Sequence, residues 1–554
     1  MKKDDTVYCR RLNDFLDPET ARRAGILDVR CCNESDPLVT GLEYDSRSIK
    51  PGNLFFALPG IHTNGAIYIG SALENGACVI VHGEDFDPAE KQQPDSLYQD
   101  TVYIRARDPR YAMSAIADSF YDHPSHHMAV IGITGTEGKS TTVYLIYQLL
   151  CLSGCPAGFI STVMLGNGKT EIWNPEHQTT PEAATVHRIL AEMRDNKAEF
   201  AVIESSSHGL SKRTNRLGDV VFDAAVMTNV NHEHLEFHGT WEQYRSDKAE
   251  LFRSLDLKFH EHEKDLNKEG IMTEKTAVPS FGVVNADDPS ASYFASATKH
   301  KTYTYSTRGA KADLSLELIE SGAGGNWYEV NAWGEKLTIR DRLPGAFNAG
   351  NVLAAILAVS QILSKEPGEL ADLVPYLKPV RGRMTAVDQG QPFEVLVDYA
   401  HTPSSFNVIF PPLEERQKKA GGKIISLFGS AGERDTVKRS EQGRIASRYS
   451  DIIILSDEDP RNEEPMAILE EIARGINGKT RNTDLFLIPD RPQAIRKAFS
   501  LAESGDLVLL LGKGHENSII YAKKTLPYDE IREAKTALAE MGYFEEEDEP
   551  PEAS

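Results

Sequence analysis

The chain has 554 residues, with 83 acidic against 60 basic side chains and a formal net charge of −23. That length is enough for about three or four domains, and the acidic balance argues against nucleic acid as a partner, because phosphate backbones are held by basic patches. The six cysteines (Cys9, Cys31, Cys32, Cys78, Cys151, Cys155) show no CxxC spacing or disulfide-framework density, and neither a long apolar run nor a signal-peptide core occurs, so a cytoplasmic protein without a membrane span is expected.

Residues 1–127 read as a first unit centred on Tyr44–Leu58. Pro51-Gly52 marks a turn there, and Leu54–Leu58 a short buried strand. Asp45-Ser46-Arg47 stands just before the turn, where polar side chains either meet a ligand or simply solvate a loop. Ala72–Gly76 closes a helix, Cys78–Val81 forms a strand, and the polar segment Tyr121–His127, which carries a proline, is the linker onward.

Residues 128–379 open on Ala129–Thr142, AVIGITGTEGKSTT. An apolar strand feeds a loop spaced by Gly132, Gly135 and Gly138, then Lys139 and Ser140, then a helix to about Ser153. Glycines let backbone N–H groups close on an anion, the helix N-terminus favours negative charge, and Lys139 neutralises it, so this is a nucleotide site. Ser140 could hold Mg²⁺ through its hydroxyl. The spacing is GxxGxxGKS rather than GxxxxGK[ST], because Ile133 occupies the first glycine position. Further strands end in polar clusters: Phe200–Ile203 before Glu204-Ser205-Ser206-Ser207-His208, Ala224–Met227 before Thr228-Asn229, and Phe281–Val284 before Asn285-Ala286-Asp287-Asp288. Ligands of open parallel sheets bind beyond the carboxyl ends of the strands. Glu204 therefore reads as a carboxylate reaching a nucleotide-bound magnesium ion, or alternatively as an exposed side chain. His232, His234 and His238 with Glu236 raise zinc, but HExxH is absent and no cysteine is near, so Mg²⁺ suits the chemistry better. Asn348 and Asn351 open an apolar helix, Val352–Leu363, where Asn348 either contacts nucleotide or caps the helix.

Residues 380–554 repeat the pattern. Val395–Val397 ends at Asp398-Tyr399-Ala400-His401, Ile424–Phe428 at Gly429–Asp435, Ile452–Leu455 at Ser456–Arg461, and Leu507–Leu511 at Gly512–Glu516. One site at one sheet edge is implied. Its carboxylates (Asp398, Asp459, Glu516) and arginines (Arg434, Arg461) fit an amino-acid ligand, or else a structural ion-pair network. The last ten residues read as a solvated acidic tail.

Taken together, TGTEGKST, HQTTPE, ESSSH, TNVNHEHLEFHG, DKAELF, NADD, LPGAFNAGN, GRM, DYAHTP, FGSAGERD, SDEDPRNEEP and GKGHE resemble the motifs of the Mur ligase superfamily. DYAHTP with GKGHE resembles the branch that adds the third amino acid of the peptidoglycan stem peptide, and the likeness runs from Tyr44 to about Leu538. The resemblance implies an α/β protein of three domains: a smaller N-terminal α/β UDP-binding domain (1–127), a central P-loop-type ATPase with a parallel sheet (128–379), and a C-terminal Rossmann-like α/β domain (380–554). It implies a monomeric ligase of cell-wall synthesis that uses ATP and Mg²⁺. The γ-phosphoryl group would pass to the D-glutamate carboxylate of UDP-MurNAc-L-Ala-D-Glu, and the amine of a diamino acid would displace phosphate from the acyl phosphate. Gly135, Thr136, Glu137, Gly138, Lys139, Ser140, Asn285, Asp288, Asn348 and Arg383 match positions that contact ATP. Ser140, Glu204, His234 and a carbamylated Lys248 match the metal environment. Tyr44, Ser46, His62, Thr63, Thr179, Thr180, Ser206 and Arg216 match contacts to the UDP-precursor. Lys139, His234, Lys248, Asp398 and His401 match the reaction centre, and Arg434, Asp459, Pro460, Arg461, Gly512 and Glu516 the amino-acid pocket.

Two departures stand out. Glu137 replaces the Asn of TGTNGK, which places a carboxylate beside phosphates. Glu458-Asp459-Pro460-Arg461 stands where enzymes for meso-diaminopimelate usually read DNPR. The extra charge of Asp459 favours L-lysine or L-ornithine, whereas Arg461 suits the distal carboxylate of diaminopimelate. The balance of the two leans to the basic amino acid.

Overall fold

Short strands, most of them largely buried, build each main sheet of the chain. A computed structural model describes residues 8–31, 36–60, 64–84, 86, 101–176, 178–231, 235–257, 278–322 and 325–544. It divides into two units, Met1–Leu316 with Val330–Leu337 and Gly350–Leu373, and Glu317–Glu329 with Thr338–Ala349 and Val374–Ser554. No described helix is long and apolar enough to cross a membrane.

The first unit begins with β1 (Ile26–Arg30), β2 (Gly41–Glu43), β3 (Asn53–Phe56), β4 (Val79–His82) and β5 (Val102–Ala106). They order as β1-β5-β4-β3-β2, antiparallel at β1–β5 and parallel elsewhere. Every residue of β3 and β4 is buried, as expected of parallel strands covered on both faces. Helix α1 (Pro109–Phe120) starts at Asp108, whose carboxylate accepts from the amides of Arg110 and Tyr111. The segment Tyr121–His127, expected as a linker, is largely packed. Asp122 and His123 take positive φ, Pro124–His127 coil into a 3-10 turn, and buried Ser125 accepts from the amide of Val221.

The same unit continues with β6 (Ala129–Thr134), α2 (Lys139–Leu152), β7 (Ala157–Ile160), α3 (Ala183–Asp195), β8 (Phe200–Glu204), β9 (Ala224–Met227), α4 (Trp241–Ser254), β10 (Phe281–Asn285) and β11 (Thr302–Ser306). The strands run parallel in the order β7-β8-β6-β9-β10-β11. From β6 the chain first builds one side of the sheet and then the other, so a crevice opens at the carboxyl end of β6. Gly132 within β6 lets α4 pack closely, since a Cβ there would lie 2.4 Å from Leu251. Residues of α3 (Ala183, Ala184, Ala191) join the core built on Ala112, Met113 and Ile116 of α1, which ties the two sheets of this unit together. Three longer strands follow over residues 314–341, then α5 (Asn348–Leu363).

The second unit holds β12 (Glu394–Asp398), β13 (Ile424–Phe428), α6 (Val437–Tyr449), β14 (Ile452–Leu455), β15 (Leu485–Leu487), α7 (Arg491–Leu501), β16 (Leu507–Leu511) and α8 (Glu530–Glu540). Its strands run parallel in the order β12-β16-β13-β14-β15. One face packs on Phe406, Phe410, Ile445 and Ile472, the other on Ile495, Phe499 and Leu538. With both faces covered, the polar residues after the strands are left at the carboxyl edge.

Candidate active site

In the first unit, backbone strain shapes the glycine loop after β6. Gly135 has φ 149°, and a Cβ there would lie 1.9 Å from the Thr228 hydroxyl. Gly138 has φ 82° and ends the loop where α2 starts, against the side chain of Asn351. Side chains from the next strand hold the loop in place. The Glu137 amide donates to Asn229 (2.9 Å), and its carbonyl accepts from the Thr228 hydroxyl (2.6 Å). Thus the backbone of Glu137 is fixed by β9 whatever its carboxylate does. Lys139 donates to the carbonyl of Thr136 (2.7 Å), and Ser140 is buried one residue further. Lys248 comes from α4, is buried, and donates to the carbonyl of Gly135, with its ammonium 4.5 Å from the Tyr244 ring.

Glu204 ends β8 and is only 1% exposed, accepting from the Thr162 amide at 2.8 Å. The alternative of an exposed carboxylate therefore falls. Ser140 and Glu204 offer hard oxygen donors of the kind Mg²⁺ takes, although no group of three or more metal-binding side chains occurs among the described residues. His62, Thr63, His232 and His234 lie outside the described residues, as does the acidic tail. His238 is committed: Nδ1 meets Asp247 at 2.6 Å and Nε2 meets Ser207 at 3.0 Å, which leaves it no nitrogen for zinc. Asp288 is committed too, its two oxygens accepting from the amides of Val230 and Ser290, both at 2.7 Å. Asn285 donates to the carbonyl of Thr228 (2.9 Å). Asn351, which sequence reading set beside Asn348, accepts from Thr142 of α2 (3.3 Å).

A polar chain links several of the residues expected to meet the precursor. Buried Thr180 donates to the carbonyl of Glu204 (2.9 Å) and meets the Ser206 hydroxyl at 3.0 Å. Arg216 donates to the Thr180 carbonyl (2.9 Å) and to Glu182 (3.0 Å), and the same Glu182 oxygen accepts from Arg110 at the head of α1 (2.5 Å). Thr179 is half-buried beside Thr180. Tyr44 donates to Glu176 (2.8 Å), and Ser46 lies buried at the start of a 3-10 turn.

In the second unit, Asp398 ends β12 and accepts from the amides of Met384 and Ala400, both at 2.7 Å. Burial raises its pKa against the pull of Arg383. The Arg383 guanidinium stacks 4.8 Å from the Tyr399 ring, which also contacts His401 and His515. Asn348 belongs to this unit as well and donates to the carbonyl of Pro344 (2.8 Å) rather than standing as a free reader of base or phosphate.

The cluster expected to hold the amino acid is organised by a residue to which sequence reading gave no role. Lys513 is fully buried and donates to Asp459 (2.9 Å) and Glu516 (2.5 Å). Burial lowers its pKa, but the two carboxylates outweigh that and raise it overall. The negative charge of Asp459, on which the lysine or ornithine preference rested, is thus already paired. The arginines differ: among the described residues neither Arg434 nor Arg461 has a carboxylate partner, and the Arg461 Nε is buried without a hydrogen bond. Buried Ser430 Oγ, Asp457 Oδ1 and Glu458 Oε2 likewise lack hydrogen-bond partners among the described residues. Such atoms are rare in protein interiors, and these four lie on the loops after β13 and β14. These loops interlock, since Gly432 donates to the Asp459 carbonyl (2.8 Å) and a Cβ on it would lie 2.0 Å from the Pro460 carbonyl oxygen. Buried Arg439 of α6 binds Glu463, Glu471 and the Ala431 carbonyl.

Comparison with known proteins matches three family models in chain order: "Mur ligase family, catalytic domain" over residues 38–121, "Mur ligase middle domain" over 133–359, and "Mur ligase, glutamate ligase domain" over 382–514. The UDP-N-acetylmuramyl-tripeptide synthetase of Treponema denticola is 49% identical over 532 residues, 92% of this chain and 96% of that protein. The chain belongs to the Mur ligase family.

A more distant relative is the UDP-N-acetylmuramoyl-L-alanyl-D-glutamate–2,6-diaminopimelate ligase of Geobacillus kaustophilus, at 34% identity over 92% of this chain and 96% of its own. A solved structure of a ligase of the same name superposes with TM-score 0.55 at 25% identity, covering 91% of this chain and 96% of that one. The three-domain Mur ligase architecture and the ligase class expected from the motifs both hold. The sequence reading gave no role to Lys513, Glu182 or Glu458. Lys513 sits inside GKGHE, Glu182 ends HQTTPE, and Glu458 lies within SDEDPR, so motif membership alone could have flagged them.

Proposed function

We propose that this Mur ligase joins a diamino acid to the D-glutamate carboxylate of UDP-MurNAc-L-Ala-D-Glu at the cost of ATP, as a step of peptidoglycan precursor synthesis. The carrying observation is the strained glycine loop at the switch point of the first-unit sheet, with Lys139 at the head of α2 and buried Lys248 on the Gly135 carbonyl. Residues 1–127 take the UDP-precursor, 128–379 the nucleotide, and 380–554 the amino acid. The printed names of the relatives support the same substrate class.

ATP gives its γ-phosphoryl group to a carboxylate oxygen, forming an acyl phosphate and ADP. The amine then attacks the acyl carbon, an amide bond forms, and phosphate leaves with the electron pair of the broken C–O bond. The protein supplies position and charge rather than covalent help. Loop amides from Gly135 to Ser140, the N-terminus of α2 and Lys139 offset phosphate charge. Asn285 and Asp288 brace the Thr228–Val230 backbone that holds this loop. Mg²⁺, when bound, stabilises charge on the phosphate oxygens, and Ser140, Glu204, His234 and a carbamylated Lys248 would hold it. Thr180, Ser206 and Arg216 orient the muramoyl-dipeptide, while Tyr44, Ser46, His62 and Thr63 take the uridine diphosphate. Arg434, Asp459, Pro460, Arg461, Gly512 and Glu516 hold the incoming amino acid, and Asp398 and His401 serve the reaction centre.

Phosphate release is the test, with ATP, Mg²⁺, UDP-MurNAc-L-Ala-D-Glu, and L-lysine, L-ornithine or meso-diaminopimelate offered separately. Turnover dependent on both the precursor and one amino acid is expected. Silence with all three, while ATP and precursor still bind, would refute the reading.

A further inference from the structure

Five titratable or charged side chains meet where the two sheets of the first unit join, and none of them has a role in the reading above. Asp118 lies in the last turn of α1, His123 in the turn after it, and His187 in α3. Arg23 ends the short helix Pro18–Arg23, and Asp219 lies in the segment before β9. Arg23 bridges Asp118 (3.1 Å) and Asp219 (2.8 Å), while His123 Nδ1 stands 2.8 Å from Asp118. His187 is different. It is fully buried, and neither ring nitrogen is hydrogen-bonded among the described residues. Its Nδ1 stands 3.9 Å from Asp118 Oδ1, an oxygen that also lacks a hydrogen-bond partner there.

Buried polar atoms are ordinarily paired. Here an imidazole is held beside a carboxylate without bonding to it, and a count of charges gives the reason. Arg23 and a protonated His123 balance Asp118 and Asp219. A proton on His187 would add a positive charge with no anion of its own, and a buried charge of that kind is costly. Burial, joined by Arg23 and His123 and opposed by Asp118 and Asp219, holds the His187 pKa below the ordinary imidazole value. The bond to Asp118 holds that of His123 above it, against burial. On acidification His123 is therefore charged first and His187 last.

The same two helices support residues proposed to meet the precursor. Glu182 caps the start of α3 and accepts from Arg110 at the head of α1 and from Arg216. Near the end of α3, Arg194 donates to the carbonyls of Tyr121 (2.7 Å) and Asp122 (3.2 Å), just past α1. The helices are clamped at both ends, and His187 lies between the clamps.

We propose that His187 is a proton sensor in this joint: neutral, it lets α1 and α3 close on each other; protonated, it forces them apart and weakens the hold on the UDP-precursor. The effect on the precursor rests on the ligase reading above, whereas the effect on the joint does not. His187 takes a proton more readily in the unfolded chain than in the folded one. Its contribution to stability is complete above the ordinary value of about 6.5 and is lost as pH falls below it. His123 works in the opposite sense, its contribution being complete below that value and lost as pH rises through the higher folded one.

The test compares the full chain with His187→Leu, which fills the space without a titrating group, between pH 5 and pH 8. Urea denaturation reports on the joint, and KM for UDP-MurNAc-L-Ala-D-Glu on the precursor. As pH drops below about 6.5, the stability of wild type should fall relative to the variant. The wild-type KM for the precursor should rise about threefold or more relative to the variant, with KM for ATP unmoved. His187→Gln, which keeps a polar side chain but takes no charge, serves if His187→Leu does not fold. A stability difference between wild type and variant that stays constant with pH overturns the proposal. A pH-dependent difference in stability with the same precursor KM profile in both chains overturns the coupling to precursor. That difference in stability with no turnover at any pH leaves the sensor in place and removes the ligase reading.

Discussion

The buried ammonium of Lys513 lies 2.9 Å from the carboxylate of Asp459, 54 residues earlier in the chain, and bridges it to Glu516. The pair joins the loop after β14 to the loop after β16. Replacing Lys513 with Met would strand two carboxylates, at a cost of about 3–5 kcal/mol of stability. Urea denaturation should show that loss. In wild type the raised pKa of Lys513 means its contribution is complete below the ordinary lysine value of about 10.4 and lost only as pH climbs through the higher folded value. The stability difference between wild type and Lys513→Met should therefore hold across neutral pH and shrink only in strong alkali.

Gly135 has no room for a side chain. Gly135→Ala would drive a methyl group into the Thr228 hydroxyl and toward the carbonyl of Asn229, in a backbone region unfavourable for alanine. A cost of about 2–3 kcal/mol is expected from strain and overpacking together. Calorimetric titration with ATP should show binding weakened by about tenfold or more, while affinity for amino acid stays within error.

One oxygen of Glu182 serves two arginines, Arg110 and Arg216. Glu182→Gln keeps the shape and removes the charge that orients Arg216. The KM for the UDP-precursor should rise about tenfold, or about 1.4 kcal/mol, the size of one charge-assisted hydrogen bond. The KM for ATP should not move. A parallel rise in both would mean that Glu182 supports the fold rather than the precursor contact.

Arg491 and Glu530 are both fully buried and paired in two places, Nη2 to Oε1 at 2.7 Å and Nε to Oε2 at 2.9 Å. Glu530→Ala leaves a guanidinium alone in the core and should cost about 3–5 kcal/mol. The double variant Arg491→Met, Glu530→Leu should recover much of that stability, because it removes both charges at once. Thermal unfolding of the two variants against wild type decides the point.

The strands and their polar ends were legible because parallel strands covered on both faces leave long apolar runs, and Ala129–Thr134 or Leu507–Leu511 read as little else. The glycine loop was legible through its spacing. What stayed hidden was pairing. Whether Asp459 is free or neutralised depends on a lysine that the sheet brings alongside from beyond four further elements, and no spacing rule encodes that. His238 shows the converse: a histidine among histidines suggests metal, but Asp247 and Ser207, nine and 31 residues away, take both nitrogens. Glu204 could be placed at a strand end from sequence, while its burial follows from the Thr162 amide folding over it. The packed turn at Pro124–His127 depends on Val221, nearly a hundred residues on.

Arg491 also donates to the carbonyls of Asp457 (3.1 Å) and Leu511 (2.7 Å), the points where β14 and β16 give way to the amino-acid loops. Its counter-charge belongs to α8, the last described helix. The foundation of the proposed pocket is therefore completed by Glu530, which follows every one of its loops in the chain. A shortened chain ending before Glu530 would keep each motif of the pocket intact and still lose the floor beneath it, and a fusion that drags α8 from its seat would do the same.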